Sequence, residues 1–176
     1  MGIFLLTLIF IFLTIFIESM GLILQLKGTK LTKWFGRYAV NALMMLTVLF
    51  WMITSCLIVI LQCEEHPRFH NSAILKYIGF ILLVSGIILS LWSIKVLGLK
   101  RSLGIDLLEE NVPLDKKSLY KYIRNPENNG FLITLVGLAV STGSFYNLIV
   151  AAEFVIVMIP HMMLENKILT KIAKNT

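Results

Sequence analysis

The 176-residue chain lacks any polar stretch long enough to separate two folded units, lacks an internal repeat, and has few charges, with Asp, Glu, Lys and Arg at 15%. The first absence leaves room for one domain, 1–176, and for no second soluble one. The second weighs against a transporter built from repeated halves. There is no Gly-rich phosphate loop, no Ser-His-Asp order and no paired-cysteine zinc spacing, so no common soluble-enzyme motif is present. The only cysteines are Cys56 and Cys63. On one helix they would stand about 10 Å apart, too far for a disulfide between them, and they say little about compartment. The amino terminus has no basic leader ahead of its apolar run, and that run is too long for a signal-peptide core, so a retained span is expected.

What the sequence has in abundance is apolar surface, 57% of its residues. The apolar residues come in runs of about 20, the length that crosses a hydrocarbon core. The expected architecture is all-α: a polytopic integral membrane protein with about five transmembrane helices and a C-terminal helical hairpin. The spans fall near 3–26, 38–62, 73–97, 126–141 and 145–163. Residues 1–97 hold three N-terminal spans, and 98–176 hold a loop, the hairpin and a tail. The last two spans are short, with a turn at Thr142-Gly143-Ser144, and Pro160 is placed to kink the fifth. The polar stretch 98–127 is too long for a simple connector and is either a functional loop or a short interfacial helix.

The net charge of +6 comes from basic residues that flank the spans. That pattern reads as topology and contact with anionic lipid headgroups, not nucleic acid. Lys27, Lys30, Lys33, Arg37, the basic residues from Lys95 to Arg124, and Lys167, Lys171 and Lys174 collect on one side, leaving only Arg68 and Lys76 on the other. The positive-inside rule then puts the N-terminus outside and the C-terminus in the cytoplasm. The tail 166–176 would lie on an anionic surface.

Several residues inside the spans carry chemistry. Glu18 and Glu153 are carboxylates at hydrocarbon depth, where they are costly and functional by default. For Glu18 the alternative is a carboxyl facing the bundle, with Ser19 beside it. Asn41 and Trp51 are the notable members of the second span. Gly79 and Gly86, with Ser85 nearby, allow close helix packing, and Lys95 can snorkel to the interface. Glu64-Glu65-His66-Pro67-Arg68-Phe69-His70 has metal-binding residue types. Pro67 between the histidines disfavours one helix face carrying both, so a solvated turn is expected and no metal site.

The most informative stretch is Leu119-Tyr120-Lys121-Tyr122-Ile123-Arg124-Asn125-Pro126-Glu127-Asn128-Asn129-Gly130. It reads as a helix start. Asn125 is expected to cap the first turn, Pro126 suits the first helical position, and Glu127 favours the positive end of the helix dipole. Near the other end of the chain, His161 and Glu165 stand one helical turn apart on the same face. They either hold a ligand's polar group or simply mark a helix end.

This stretch resembles the Tyr-x-x-x-Arg-His-Pro-x-Tyr-x-Gly signature of the membrane methyltransferases typified by isoprenylcysteine carboxyl methyltransferase, with Tyr120, Arg124, Pro126 and Gly130 matching. Asn125-Pro126 is also similar to the Asn-Pro of phosphatidylethanolamine N-methyltransferases. The resemblance runs over 97–169. Leu97-Gly98 and Arg101-Ser102 are similar to a Leu-Gly-Arg-Ser run. Leu114 is similar to a leucine of the cofactor loop, Gly137 and Gly143-Ser144 to the hairpin, and His161-x-x-x-Glu165 with Leu169 to an Arg-x-x-x-Glu-Glu segment. The departures are Ser118, Asn125, Asn128, His161 and Asn166. The resemblance implies S-adenosylmethionine as methyl donor and a membrane lipid or prenylated acceptor entering from the bilayer. It implies donor contacts from Leu114, Tyr120, Asn125, Pro126 and Asn128, and catalytic roles for Glu165, His161 and Arg124.

Three readings follow: an S-adenosylmethionine-dependent methyltransferase of prenylcysteine carboxylates or phospholipid headgroups, a family member without turnover acting as a scaffold or lipid-binding subunit, and a small channel or transporter using Glu18 and Glu153. Methyl acceptor and oligomeric state stay open at this level.

Overall fold

The computed structural model describes residues 1–26, 31–65, 67–69, 72–98 and 125–175. Among these are five α-helices and no β-strand: α1 Gly2–Leu26, α2 Leu31–Leu61, α3 Ala73–Leu97, α4 Pro126–Thr142 and α5 Phe145–Asn175. Three are long and apolar enough to cross a membrane, over Gly2–Leu24, Ala73–Val96 and Phe145–Ile168, and α2 carries a shorter apolar stretch, Met45–Leu61. Large apolar side chains cover the outside of the bundle. On α3, Ile74 is 71% exposed and Ile81 65%. A soluble protein does not present such a surface to water, whereas a bilayer accepts it. The chain is an integral membrane protein.

Apolar spans and helices do not end together. α2 starts at Leu31 instead of near Tyr38, and α5 runs past Met163 to Asn175. Lys33, Arg37 and the tail lysines end the apolar runs in sequence, but lysine and arginine are good helix formers and do not stop the helix. The expected short fifth span and separate surface tail are therefore one helix of 31 residues, about 46 Å long at 1.5 Å per residue. Pro160 lies inside it without ending it. It removes the N–H that would reach the Ile156 carbonyl, a loss that membrane helices tolerate.

The packing order is α2 on α1, α1 on α5, α5 on α4 and α4 on α3. The core joins Ile11 and Ile15 of α1, Ile58 and Leu61 of α2, Leu135 of α4, and Val150, Phe154 and Met158 of α5. Trp51 of α2 meets Phe131 of α4 edge-on at 5.0 Å, and Phe131 meets Phe154 at 4.9 Å. Buried hydroxyls find partners at once: the Thr14 Oγ1 donates to the Phe10 carbonyl at 2.6 Å and lies 3.4 Å from the Thr54 Oγ1 across the α1–α2 contact.

α3 attaches differently. Gly79 and Gly86 of α3 and Gly130 and Gly137 of α4 form a backbone-to-backbone seam, the members of each pair two turns apart and so on one face. A Cβ on Gly137 would overlap the Leu83 amide nitrogen, and one on Gly79 that of Ser141. The Ser90 Oγ donates across the seam to the Glu127 carbonyl at 3.2 Å. Without a hydrophobic drive between helices in lipid, such close approach supplies the contact. Ser85 is not part of it: exposed, it donates to its own Leu82 carbonyl at 2.9 Å.

At the end of the bundle where α4 turns into α5, Gly143 takes a left-handed conformation, φ 67°. Gln62 and Asn147 exchange two amide hydrogen bonds, of 3.0 and 2.9 Å, linking α2 to α5. The segment after α2 lies against this turn. The Phe69 N–H donates to the Gly143 carbonyl at 2.8 Å, the Phe145 N–H donates to the Pro67 carbonyl at 3.1 Å, and Arg68 pairs with Ser144. The expected turn is thus a strap on the α4–α5 junction; His66 and His70 lie outside the described residues. Cys56 and Cys63 are both free.

The seam yields a stability test. Gly137→Val forces backbone apart and is expected to destabilise the protein by about 1–3 kcal/mol, read as a lower Tm in detergent. Ser85→Val, on the opposite face of α3, leaves Tm unchanged. Equal effects from the two would remove the seam's role.

Candidate active site

The other end of the bundle gathers polar side chains from four helices. α1 brings Glu18 and Ser19, α2 brings Trp51, the start of α4 brings Asn125 and Glu127, and α5 brings His161 and Glu165. α1 and α5 reach this end in their C-terminal halves, α4 at its first turn. These lie at similar depth because α1 and α5 run side by side, and because α4 starts where α5 emerges.

Trp51 donates its indole N–H to the Glu18 Oε1 at 2.8 Å. The other oxygen, Oε2, stands 3.9 Å from the His161 Nε2. The opposite ring nitrogen, Nδ1, is 3.0 Å from the Ser19 Oγ. Neighbouring residues of α1 therefore grip the His161 ring from both sides. The carboxylates of Glu165 and Glu127 are close enough to act electrostatically on Glu18. Both Glu18 and His161 are mostly buried, with side chains 19% and 11% exposed.

The start of α4 departs from the expected cap. Asn125 occupies the N-cap position, but its side chain makes no capping bond. Its amide instead donates to the Glu165 Oε2 at 3.5 Å. Turning its NH2 group toward Glu165 on α5 leaves its side-chain oxygen off the first-turn N–H groups that a cap would accept from. The Asn125 carbonyl still takes the first helical bond, from the Asn129 N–H at 3.1 Å. Pro126 fills the first helical position, fully buried, with Glu127 in the same turn. Asn128 is half-buried on that turn.

Of the residues singled out in sequence, the structure brings Asn125, Glu165, His161, Glu18 and Trp51 to one place. Leu114, Tyr120 and Arg124 lie outside the described residues. The sequence marked Glu18, Trp51 and His161 separately and did not pair them. It also set Ser19 beside Glu18, whereas its hydroxyl meets the imidazole. A coarse signal is depth: Glu18 stands nine residues before Lys27 and His161 six before Lys167, within about one helical turn of each other. Glu153 belongs elsewhere. It precedes His161 by about 12 Å along α5, and its Oε2 is buried without a hydrogen-bond partner.

Carboxylates, an imidazole and an amide from separate helices thus meet at one end of the bundle. The comparison with known families makes this specific. The model of the phospholipid methyltransferase family matches residues 75–175, more than half of the chain, and the chain belongs to that family. The match spans α3, α4 and α5 and leaves α1 and α2 before it. No curated protein and no solved structure matches the chain.

The orphaned carboxylate provides a contrast with the site. Glu153→Leu removes an unpaired buried oxygen at similar volume and is expected to hold or raise Tm, by the equivalent of up to about 2 kcal/mol. A clear fall in Tm would mean that Glu153 has a stabilising partner.

Proposed function

We propose that the chain is an S-adenosylmethionine-dependent membrane methyltransferase acting on a lipidic acceptor, a phospholipid headgroup or a prenylcysteine carboxylate. It forms a single membrane domain of five spans, the last two a transmembrane hairpin, with the N-terminus outside and the C-terminus cytoplasmic. Family membership supplies the reaction class. The observation that carries the reading to a site is the 3.5 Å contact between Asn125 and Glu165. It joins the two segments of the methyltransferase-like signature, far apart in sequence, at one end of the bundle.

The described residues fit the donor in charge. Glu18, Glu127 and Glu165 suit a cationic sulfonium, and the positive end of the α4 dipole at Pro126 suits an anionic group. The donor, when bound, supplies an electrophilic methyl group. Asn125, Pro126 and Asn128, with Leu114 and Tyr120, would hold it. Glu165 and His161, with Arg124, would orient the acceptor. Methyl transfer requires the reacting atoms in line and water excluded. A half-buried site at the membrane edge lets a water-soluble donor meet an apolar acceptor.

A scaffold without turnover is the second reading, favoured by Asn125, Asn128 and His161, which stand where the signature has other residues. Binding and turnover separate the two. Titration of the detergent-solubilised protein with S-adenosylmethionine and its demethylated product is expected to show saturable binding; none would sink the proposal. Glu165→Gln is expected to keep donor binding and lower single-turnover transfer ten- to a hundredfold, about 1.4–2.7 kcal/mol of transition-state stabilisation. Turnover equal to the parent's would reduce Glu165 to a helix-end residue. Donor binding without transfer to any lipid would favour the scaffold.

The orientation has its own test. A cysteine in place of Lys171 is expected to react with an impermeant reagent only from the cytoplasmic side of sealed vesicles. Labelling from outside alone would reverse the topology.

A further inference from the structure

We propose that Glu18 and Ser19 of α1 complete an amine site with His161: the Glu18 Oε2 and the His161 Nε2 hold one headgroup nitrogen between them, and His161 takes its proton. The use of this site in methyl transfer rests on the function proposed above; its capture of an amine does not.

The geometry is that of a two-point receptor. The Glu18 Oε2 and His161 Nε2 face each other at 3.9 Å, beyond hydrogen-bond range. A nitrogen placed about 2.9 Å from each closes a triangle on that base and donates one N–H to either atom. The Trp51 indole occupies the other carboxylate oxygen at 2.8 Å and fixes the carboxyl plane. The Ser19 Oγ lies 3.0 Å from the His161 Nδ1. With Ser19 accepting the Nδ1 proton, the neutral ring keeps its Nε2 lone pair on the side of Glu18. Among the described residues, the other titratable groups facing this pair are Glu165 of α5 and Glu127 of α4; α2 contributes the non-titrating Trp51.

An ammonium nitrogen has no lone pair and cannot attack a methyl carbon. Its N–H bond must first break, the electron pair staying on nitrogen and the proton passing to the His161 Nε2. The imidazolium so formed is stabilised by the Glu18 carboxylate. The freed pair then makes the N–C bond as the C–S bond of the methyl sulfonium donor breaks, with its electrons left on a neutral thioether sulfur. A carboxylate acceptor has no proton to lose and leaves such a base without work. Both α1 residues precede the family-matched segment, residues 75–175, so this part of the site is contributed by this chain's own first helix.

The test uses the full chain in lipid nanodiscs with ring-labelled histidine. There are three histidines, and His161 is assigned by the signal lost in His161→Gln. The probes are phosphatidylethanolamine, which carries N–H groups, and phosphatidylcholine, which carries none. The parent His161 signal is expected to differ between the two lipids, and Glu18→Gln to abolish the difference. Gln keeps the acceptor for Trp51, so the fold contact survives; Ser19→Ala, which frees the ring tautomer, is the second variant. In single turnover with phosphatidylethanolamine, Glu18→Gln is expected to slow transfer about tenfold or more at neutral pH. The deficit shrinks at alkaline pH, where the amine is already deprotonated. Glu153→Leu, a carboxylate change outside the site, leaves the pH profile unchanged.

An identical His161 signal in both lipids, or a Glu18→Gln deficit that is the same at every pH, overturns the proposal. A lipid-dependent His161 signal in a parent that methylates no lipid upholds the amine site and sinks the methyltransferase reading. Methyl transfer with a silent His161 does the reverse.

Discussion

A carboxylate buried inside a bundle of membrane helices has to be bonded chiefly by the protein, because little water reaches it. Glu18 meets that demand with the indole of Trp51 and faces the ring of His161, and the consequences spread through the bundle. Trp51 ties α1 to α2 and, through its ring contact with Phe131, reaches α4. His161 ties α1 to α5, reinforced by Ser19. Four helices are thus held in register at one level by a handful of polar contacts. Apolar packing alone, which tolerates sliding, would not fix that level, since lipid competes equally for any apolar face.

The two ends of the molecule use polar groups for different purposes. At the α4–α5 turn, Gln62 and Asn147 satisfy each other with paired amide bonds, and the strap through Phe69 closes over Gly143. Donors and acceptors there are matched, which suits a structural clamp. At the Glu18 end the arrangement is less closed. A carboxylate oxygen and a ring nitrogen face each other beyond bonding distance. Matched groups hold a shape, whereas groups slightly too far apart can be bridged by a ligand.

Much of this was legible in the sequence, and the misreadings share physical causes. The apolar runs located the five helices among the described residues, three of them long and apolar enough to cross a membrane. They did not give the helix ends, since hydropathy reports where the bilayer stops and not where the backbone turns; α2 and α5 continue through their basic residues. Gly79 and Gly86 were readable as packing positions, because a missing side chain is visible in sequence. That Gly130 and Gly137 of α4 answer them needed the fold. Asn125 is not a cap because its side chain turns its NH2 to Glu165 of another helix, a partner that local reading cannot see. Glu18 was recognisable as costly, but its partners lie on other helices, and no spacing rule links position 18 to position 161.

That last point bears on where the site's boundary falls. The family match begins on α3, so by sequence the methyltransferase-like unit is α3 to α5 alone. α3 joins this unit through a glycine seam and the Ser90 contact, whereas the described partners of its His161 both stand on α1. Detached from α1, α5 would carry an imidazole at hydrocarbon depth without the carboxyl and hydroxyl that now face it, an arrangement that is costly in lipid. The family segment therefore depends on the first helix for its polar chemistry as well as its packing. α1 is thus more than an apolar anchor: it sets a carboxyl and a hydroxyl against the two ring nitrogens of His161.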